Sequence, residues 1–128
     1  MAKVKILVID DEADLLETIK FRLESAGYEV LTAQDAVSGI DIAREELPEL
    51  IIMDVMMPGM DGFEALEKIK EDASTKKIPT IILSCGKEEE EWAKKSLQLG
   101  AAGYVVKPFD AKSLLFTVEK FAERKKEE

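Results

Sequence analysis

Five polar side chains in this 128-residue sequence each stand at the end of an apolar run, and their types suit one kind of chemistry. Asp10 and Asp11 follow Lys5-Ile6-Leu7-Val8-Ile9, Asp54 follows Leu50-Ile51-Ile52-Met53, Ser84 closes Thr80-Ile81-Ile82-Leu83, and Lys107 follows Gly103-Tyr104-Val105-Val106. Gathered at one edge, they bring together three carboxylates, a hydroxyl and an ammonium group. Two carboxylates about 5 Å apart repel by roughly 3 kcal/mol at an effective dielectric near 20, so the cluster must hold a cation or take up a proton. The donors are hard oxygens, which favours Mg²⁺ over zinc or copper. Mg²⁺ keeps several waters and completes its shell with phosphate oxygens, which suits phosphoryl transfer. Asp54 stands alone between the acidic pair and Lys107 and is the best nucleophile; carboxylate attack on phosphorus yields an acyl phosphate. Lys107 can pair with Asp54 and then with phosphoryl oxygens, and Ser84 can donate to one. Positioning and charge neutralisation supply most of such catalysis.

The elements that position these residues follow from hydrophobic periodicity. The first and third strands are continuously apolar, as expected of strands buried on both faces. Between the strands run amphipathic stretches: Leu15, Leu16, Ile19, Leu23 and Ala26 on one stripe, then Val37, Ile40 and Ala43, then Phe63, Leu66 and Ile69, then Trp92, Ala93 and Leu97, and last Leu114, Leu115, Val118, Phe121 and Ala122. Asp35 and Asp61 are expected N-caps, Gly27 and Gly100 helix ends, and Pro48 lies just past the second helix. The acidic run Glu88–Glu91 reads as a solvated helix start, and the charged tail after Phe121 as a fraying helix end. Regular β-then-α alternation predicts an α/β fold, a doubly wound five-stranded parallel sheet with helices on both faces. Ligands of such sheets bind beyond the carboxyl ends of the strands.

Composition narrows the function further. Eighteen Lys and Arg stand against 27 Asp and Glu, a net charge of -9. Nucleic-acid binders present a basic stripe, so direct nucleic-acid binding is not expected; the Arg124-Lys125-Lys126 cluster runs straight into Glu127-Glu128. No apolar run approaches the roughly 20 residues of a membrane helix, and the N-terminus lacks a signal-peptide pattern, so a cytoplasmic location is expected. The lone Cys85 cannot form an internal disulfide and reads as a small buried hydrophobe. Histidine is absent, which excludes Ser-His-Asp and Cys-His sites and His-ligated zinc; any phosphohistidine must come from another protein. Asparagine is absent too and Gln34 and Gln98 are the only glutamines, a bias shared with heat-adapted proteins.

An aspartate after a strand is often only a turn former or N-cap; the functional reading rests on four strand ends agreeing. At this point the sequence resembles the receiver domains of two-component response regulators. The resemblance is carried by Val8-Ile9-Asp10-Asp11-Glu12, by Ile52 to Gly62 with its Asp54-Val55-Met56-Met57-Pro58 core, by Ile82-Leu83-Ser84, and by Gly103-Tyr104-Val105-Val106-Lys107-Pro108. It covers residues 1–128 as a single receiver and implies a flavodoxin-like, CheY-like (βα)5 fold with strand order 2-1-3-4-5. It further implies that Asp54 is the phosphoacceptor and that Asp11, Asp54 and the Met56 backbone carbonyl bind Mg²⁺, with Asp10 acting mainly through water. Ser84 and Tyr104 would form a switch pair, Tyr104 turning inward on phosphorylation, while Lys107 holds the phosphoryl group. The Lys107-Pro108 peptide would be cis.

The implied partners are a histidine kinase or histidine phosphotransfer protein as donor, and a downstream protein target or output domain read through the fourth helix, fifth strand and fifth helix. The chain would be a phosphoacceptor with self-catalysed transfer rather than a turnover enzyme. Met56 beside the phosphoryl group and Gly86 after Ser84 imply slow self-dephosphorylation, and Cys85 a slightly narrowed approach. Three other readings compete. A Mg²⁺-dependent phosphatase would want an Asp-x-Asp motif and a cap; a phosphorylation-independent interaction module would not need the site residues; a flavin site would need a phosphate-cradling loop after the first strand.

Overall fold

The structure, a computed structural model, describes residues 3–85 and 89–127, with side chains at 85, 89 and 123–127 excepted. The expectations for the Cys85 side chain, Gly86, Glu88 and the Arg124-Lys125-Lys126 side chains lie outside the described residues. Strands β1 (Lys5–Ile9), β2 (Glu29–Ala33), β3 (Leu50–Asp54), β4 (Thr80–Cys85) and β5 (Gly103–Lys107) alternate with helices α1 (Ala13–Ser25), α2 (Ala36–Glu46), α3 (Gly62–Glu71), α4 (Glu89–Gln98) and α5 (Ala111–Glu127). All pairings are parallel, in the order β2-β1-β3-β4-β5, the order that the family resemblance implies.

Continuous apolar sequence becomes burial on both faces in β3, where every residue from Leu50 to Asp54 is buried. One core cluster joins Leu7, Ile9, Ile51 and Met53 to α2 and α3, with Trp92 of α4 packed against it. The other joins Ile6, Val8, Leu50 and Ile52 to Leu16, Ile19 and Leu23 of α1 and to Leu114, Val118 and Phe121 of α5. Burial of such large aliphatic side chains contributes about 1.5–3 kcal/mol each and holds the central strands in register. The edge strand β5 is only half-buried throughout.

Helix starts follow local chemistry. Asp35 accepts from the Ser38 N–H at 2.8 Å. Asp61 and Glu64 form a reciprocal capping box, Asp61 accepting from the Glu64 N–H at 2.9 Å. Three apolar residues expected inside are instead exposed, and each has a local cause. Ala26 is the cap residue beyond the end of α1 rather than part of its stripe. Val37 faces solvent because α2 buries Ala36, Gly39, Ile40 and Ala43, with Gly39 seated so close on the Ile9 side chain that a Cβ would overlap it. Leu97 is exposed because α4 turns Ser96 inward; its hydroxyl donates to the Trp92 carbonyl at 2.7 Å, so the helix itself satisfies a buried polar group. Past Phe121 the helix does not fray at once but runs to Glu127.

Leu47 ends α2 in the left-handed conformation, φ 45° and ψ 61°, with its side chain largely in solvent. That conformation costs a side-chain-bearing residue roughly 1–2 kcal/mol and costs glycine little. Leu47→Gly is therefore expected to stabilise the fold by about 0.5–1 kcal/mol, seen as a higher urea midpoint at unchanged slope; a lower midpoint would contradict this account.

Candidate functional site at the carboxyl edge of the sheet

Strand register brings the chemistry-bearing residues to one edge. Ile9 stands beside Met53 and Ala33, so Asp10 continues past β1 with its N–H donating to the Ala33 carbonyl at 3.1 Å. Asp54 pairs with Leu83, the Val55 N–H donates to the Leu83 carbonyl at 3.0 Å, and Ser84 follows with Val106 opposite it. Lys107 closes β5 opposite Cys85. All five residues singled out by type therefore meet at this edge.

Among the described residues, Asp10, Asp11 and Asp54 offer carboxylate oxygens all within 4.8 Å of one another. Asp10 is 0% exposed and Asp54 2% exposed, whereas Asp11 is open to solvent. Repulsion at that separation is roughly 3 kcal/mol per ionised pair at an effective dielectric near 20. The neighbouring cation is Lys107. Its Nζ donates to Asp10 Oδ2 at 2.9 Å and lies 3.4 Å from Asp54 Oδ1 and 3.6 Å from Glu12 Oε1. The closer partner is thus Asp10, not Asp54 as the sequence suggested. Asp10 is fully engaged, because its Oδ1 accepts from the Glu12 N–H at 2.9 Å. Asp54 Oδ1, by contrast, is a buried oxygen with no hydrogen bond, its contact to Lys107 being an ion pair at longer range.

Burial, and then the charge of Asp10, push the Asp54 carboxyl up to about 6, against the opposing pull of Lys107 and a hydrogen bond from the Met56 backbone N–H. Burial pulls the Lys107 ammonium down, but its hydrogen bond to Asp10 and the charges of Asp54 and Asp10 prevail, and its affinity for the proton rises above the ordinary lysine value. A buried, electron-rich oxygen without a donor, beside two further carboxylates, is a fit for a small hard divalent cation and a misfit for a soft one.

Two features escaped sequence reasoning. Gly62, first residue of α3, packs on the loop behind Asp54: a Cβ there would overlap the Asp54 carbonyl oxygen and stand 2.8 Å from Val55 Cα. Its N–H donates to the Val55 carbonyl at 2.9 Å, so α3 braces the segment that follows Asp54. A glycine after an N-cap gives no sequence signal of that approach. Glu12 is the second; its carboxylate makes no capping bond to α1 and reaches Lys107 instead.

Ser84 is fully buried. Tyr104 is half-buried; its ring packs against the cluster on the α2–α3 face, and its hydroxyl oxygen is buried without a partner among the described residues. The Lys107-Pro108 peptide is cis.

Comparison with known proteins gives a consistent result. The response regulator receiver domain profile matches residues 6–119. Protein PilH of Pseudomonas aeruginosa is 36% identical over 116 residues, covering 89% of this chain and 93% of that protein. The phosphate regulon transcriptional regulatory protein PhoB of Escherichia coli is 35% identical over 115 residues, covering 90% of this chain but 50% of PhoB. Among solved structures, the chemotaxis protein CheY4 of Vibrio cholerae superposes with a TM-score of 0.88 at 32% identity, over 94% of this chain and 99% of that one.

In metal-free buffer, an Asp54 carboxyl held near 6 rather than 3.8 binds more protons folded than unfolded between those values, so it costs stability as pH rises through that window. Replacing it by a neutral isostere removes the cost. Asp54→Asn is expected to gain about 1–3 kcal/mol at pH 7 with a chelator present, the gain shrinking between pH 6 and 4 and on addition of Mg²⁺. Urea denaturation across pH measures it; a variant less stable than the parent at pH 7 without metal would refute the electrostatic account.

Proposed function

The chain belongs to the response regulator receiver domain family of two-component signalling, and from that premise we propose that Asp54 accepts a phosphoryl group from a phosphohistidine on a partner protein. The observation that carries the reading is the buried Asp54 oxygen without a donor, set between a carboxylate pair and the Lys107 ammonium. An Asp54 carboxylate oxygen bonds to phosphorus as the bond from phosphorus to the donor's leaving atom breaks, and the electron pair departs with the donor. Asp11, Asp54 and the backbone carbonyl of Met56 are the groups that would hold Mg²⁺, with Asp10 acting through water. When bound, the ion would neutralise carboxylate and phosphoryl charge. That Asp10 has both oxygens engaged, by the Glu12 N–H and by Lys107, supports this division of labour. Lys107 is poised to move from its Asp10 contact toward phosphoryl oxygens, and Ser84 to donate to one of them.

The phosphoryl group adds about -1.5 to -2 charges at a site already rich in negative charge. The resulting shift of Ser84 and Lys107 is read out at the surface of α4, β5 and α5 by a downstream protein or output domain. Tyr104, a half-buried residue of β5, is the ring that would turn inward as Ser84 and Lys107 move toward the phosphoryl group. The donor is a histidine kinase or a histidine phosphotransfer protein, since this chain has no histidine. It is a phosphoacceptor that catalyses its own modification rather than a turnover enzyme, and it works in the cytoplasm, where such kinases present their histidine. No helix among the described residues is long and apolar enough to cross a membrane.

Incubation with acetyl phosphate and Mg²⁺ is expected to add one phosphoryl group, read by intact mass, in the parent chain and none in Asp54→Asn. An equal gain in both, or none in either, would sink the proposal. Met56, 57% exposed at the mouth of the site, places an apolar side chain where an attacking water would pass. Self-dephosphorylation is accordingly slow; decay of the acyl phosphate within seconds in Mg²⁺ would contradict that role for Met56.

A further inference from the structure

The receiver reading assigns Glu12 no task, yet the structure gives its carboxylate an unusual place. Glu12 is the N-cap residue of α1, a position where short polar side chains such as Asp or Ser accept from the helix N–H groups and where a glutamate is not specially favoured. Here it makes no such bond. Only its backbone is committed, donating to Asp10. The side chain, 65% exposed, extends instead to 3.6 Å from Lys107 Nζ. Lys107 Nζ is in turn 3.4 Å from Asp54 Oδ1. A phosphoryl group held on Asp54 and touching Lys107 would therefore share that ammonium with the Glu12 carboxylate. Among the described residues and before any cation binds, Asp10, Asp11, Glu12 and Asp54 contribute four negatives against the positive charge of Lys107.

We propose that Glu12 is a positioning residue that makes the site discriminate among phosphodonors by charge, disfavouring small dianionic donors relative to less charged ones. Its carboxylate draws Lys107 toward the mouth and opposes the approach of anions there, and this opposition scales with the donor's charge. A protein-borne phosphohistidine can offset it with contacts of its own, whereas a free acyl phosphate cannot. Because Glu12 is at the rim and solvated, the effect is screened by salt within about 10 Å at 0.1 M. The inference rests on Asp54 being the phosphoacceptor.

The test compares the parent chain with Glu12→Gln, which keeps shape and removes charge. Two donors are used with Mg²⁺: acetyl phosphate, whose transfer breaks an acyl O–P bond and releases acetate, and phosphoramidate, whose transfer breaks a P–N bond and releases ammonia. At neutral pH the first is a dianion and the second carries less negative charge. In low salt, Glu12→Gln is expected to lower the half-saturating concentration of acetyl phosphate about three- to fivefold and that of phosphoramidate less than about twofold, the difference collapsing in concentrated salt. The change should fall on half-saturation more than on the limiting rate, and Glu12→Asp should behave like the parent. Thermal unfolding of the metal-free variants reports separately on α1, which loses no capping bond in Glu12→Gln. An equal change for both donors, or none at low salt, would overturn the proposal. Failure of the parent chain to be phosphorylated by either donor would instead overturn the reading of Asp54 on which it stands.

Discussion

Asp10 and Asp54 are both removed from water with their oxygens a few ångströms apart, and among the described residues Lys107 is the cation that contacts both and offsets the charge. Left to itself such a pair would separate, protonate or unfold the edge that carries it. It persists because each carboxylate is attached to a strand it cannot leave. Asp10 continues β1 and Asp54 ends β3, and these neighbouring central strands are locked by Ile6, Leu7, Ile9, Leu50, Ile51 and Ile52, all fully buried. Apolar burial in the sheet thus holds in place an electrostatic conflict at its edge. The conflict has a use: a cluster of carboxylates that repel one another gains most from a bound cation.

The surrounding devices follow from that constraint. Lys107 arrives from the edge strand β5, whose residues are all half-buried, and its ammonium stands within 3.4 Å of both Asp10 and Asp54. Gly62 lets α3 press on the back of the Asp54 loop, and the Asp61–Glu64 capping box fixes where that helix starts. Asp54 is thus braced from behind by α3, while its cation partner arrives on a long side chain from a separate strand.

Sequence alone disclosed most of this, for physical reasons that also mark where it stopped. Uninterrupted apolar runs announced buried strands, and a polar residue just past each run announced the edge, so Asp10, Asp11, Asp54, Ser84 and Lys107 were legible by type and position. The mandatory partners of those residues were less so. That Lys107 sits nearer Asp10 than Asp54 depends on fractions of an ångström in strand offset, which periodicity does not encode. Val37 and Leu97 were misplaced because neighbours that can be buried at little cost, Gly39 and the self-satisfied Ser96, took the inward positions. A hydrophobic stripe read from types alone always prefers the larger side chain and misses such exchanges.

Tyr104 shows most sharply what the packed structure adds. From propensity it is an ordinary strand residue, and by resemblance a ring that moves inward on phosphorylation. In the folded chain the half-buried ring packs against the apolar cluster on the α2–α3 face, with a hydroxyl that finds no partner among the described residues. An unpaired buried hydroxyl costs about 1–3 kcal/mol, so ring packing must outweigh that cost. Turning such a ring would have to displace those contacts, and a full reversal of a two-state equilibrium needs about 5.5 kcal/mol of differential binding. Under the proposed function that difference would come from charge-assisted bonds of Ser84 and Lys107 to a phosphoryl group on Asp54.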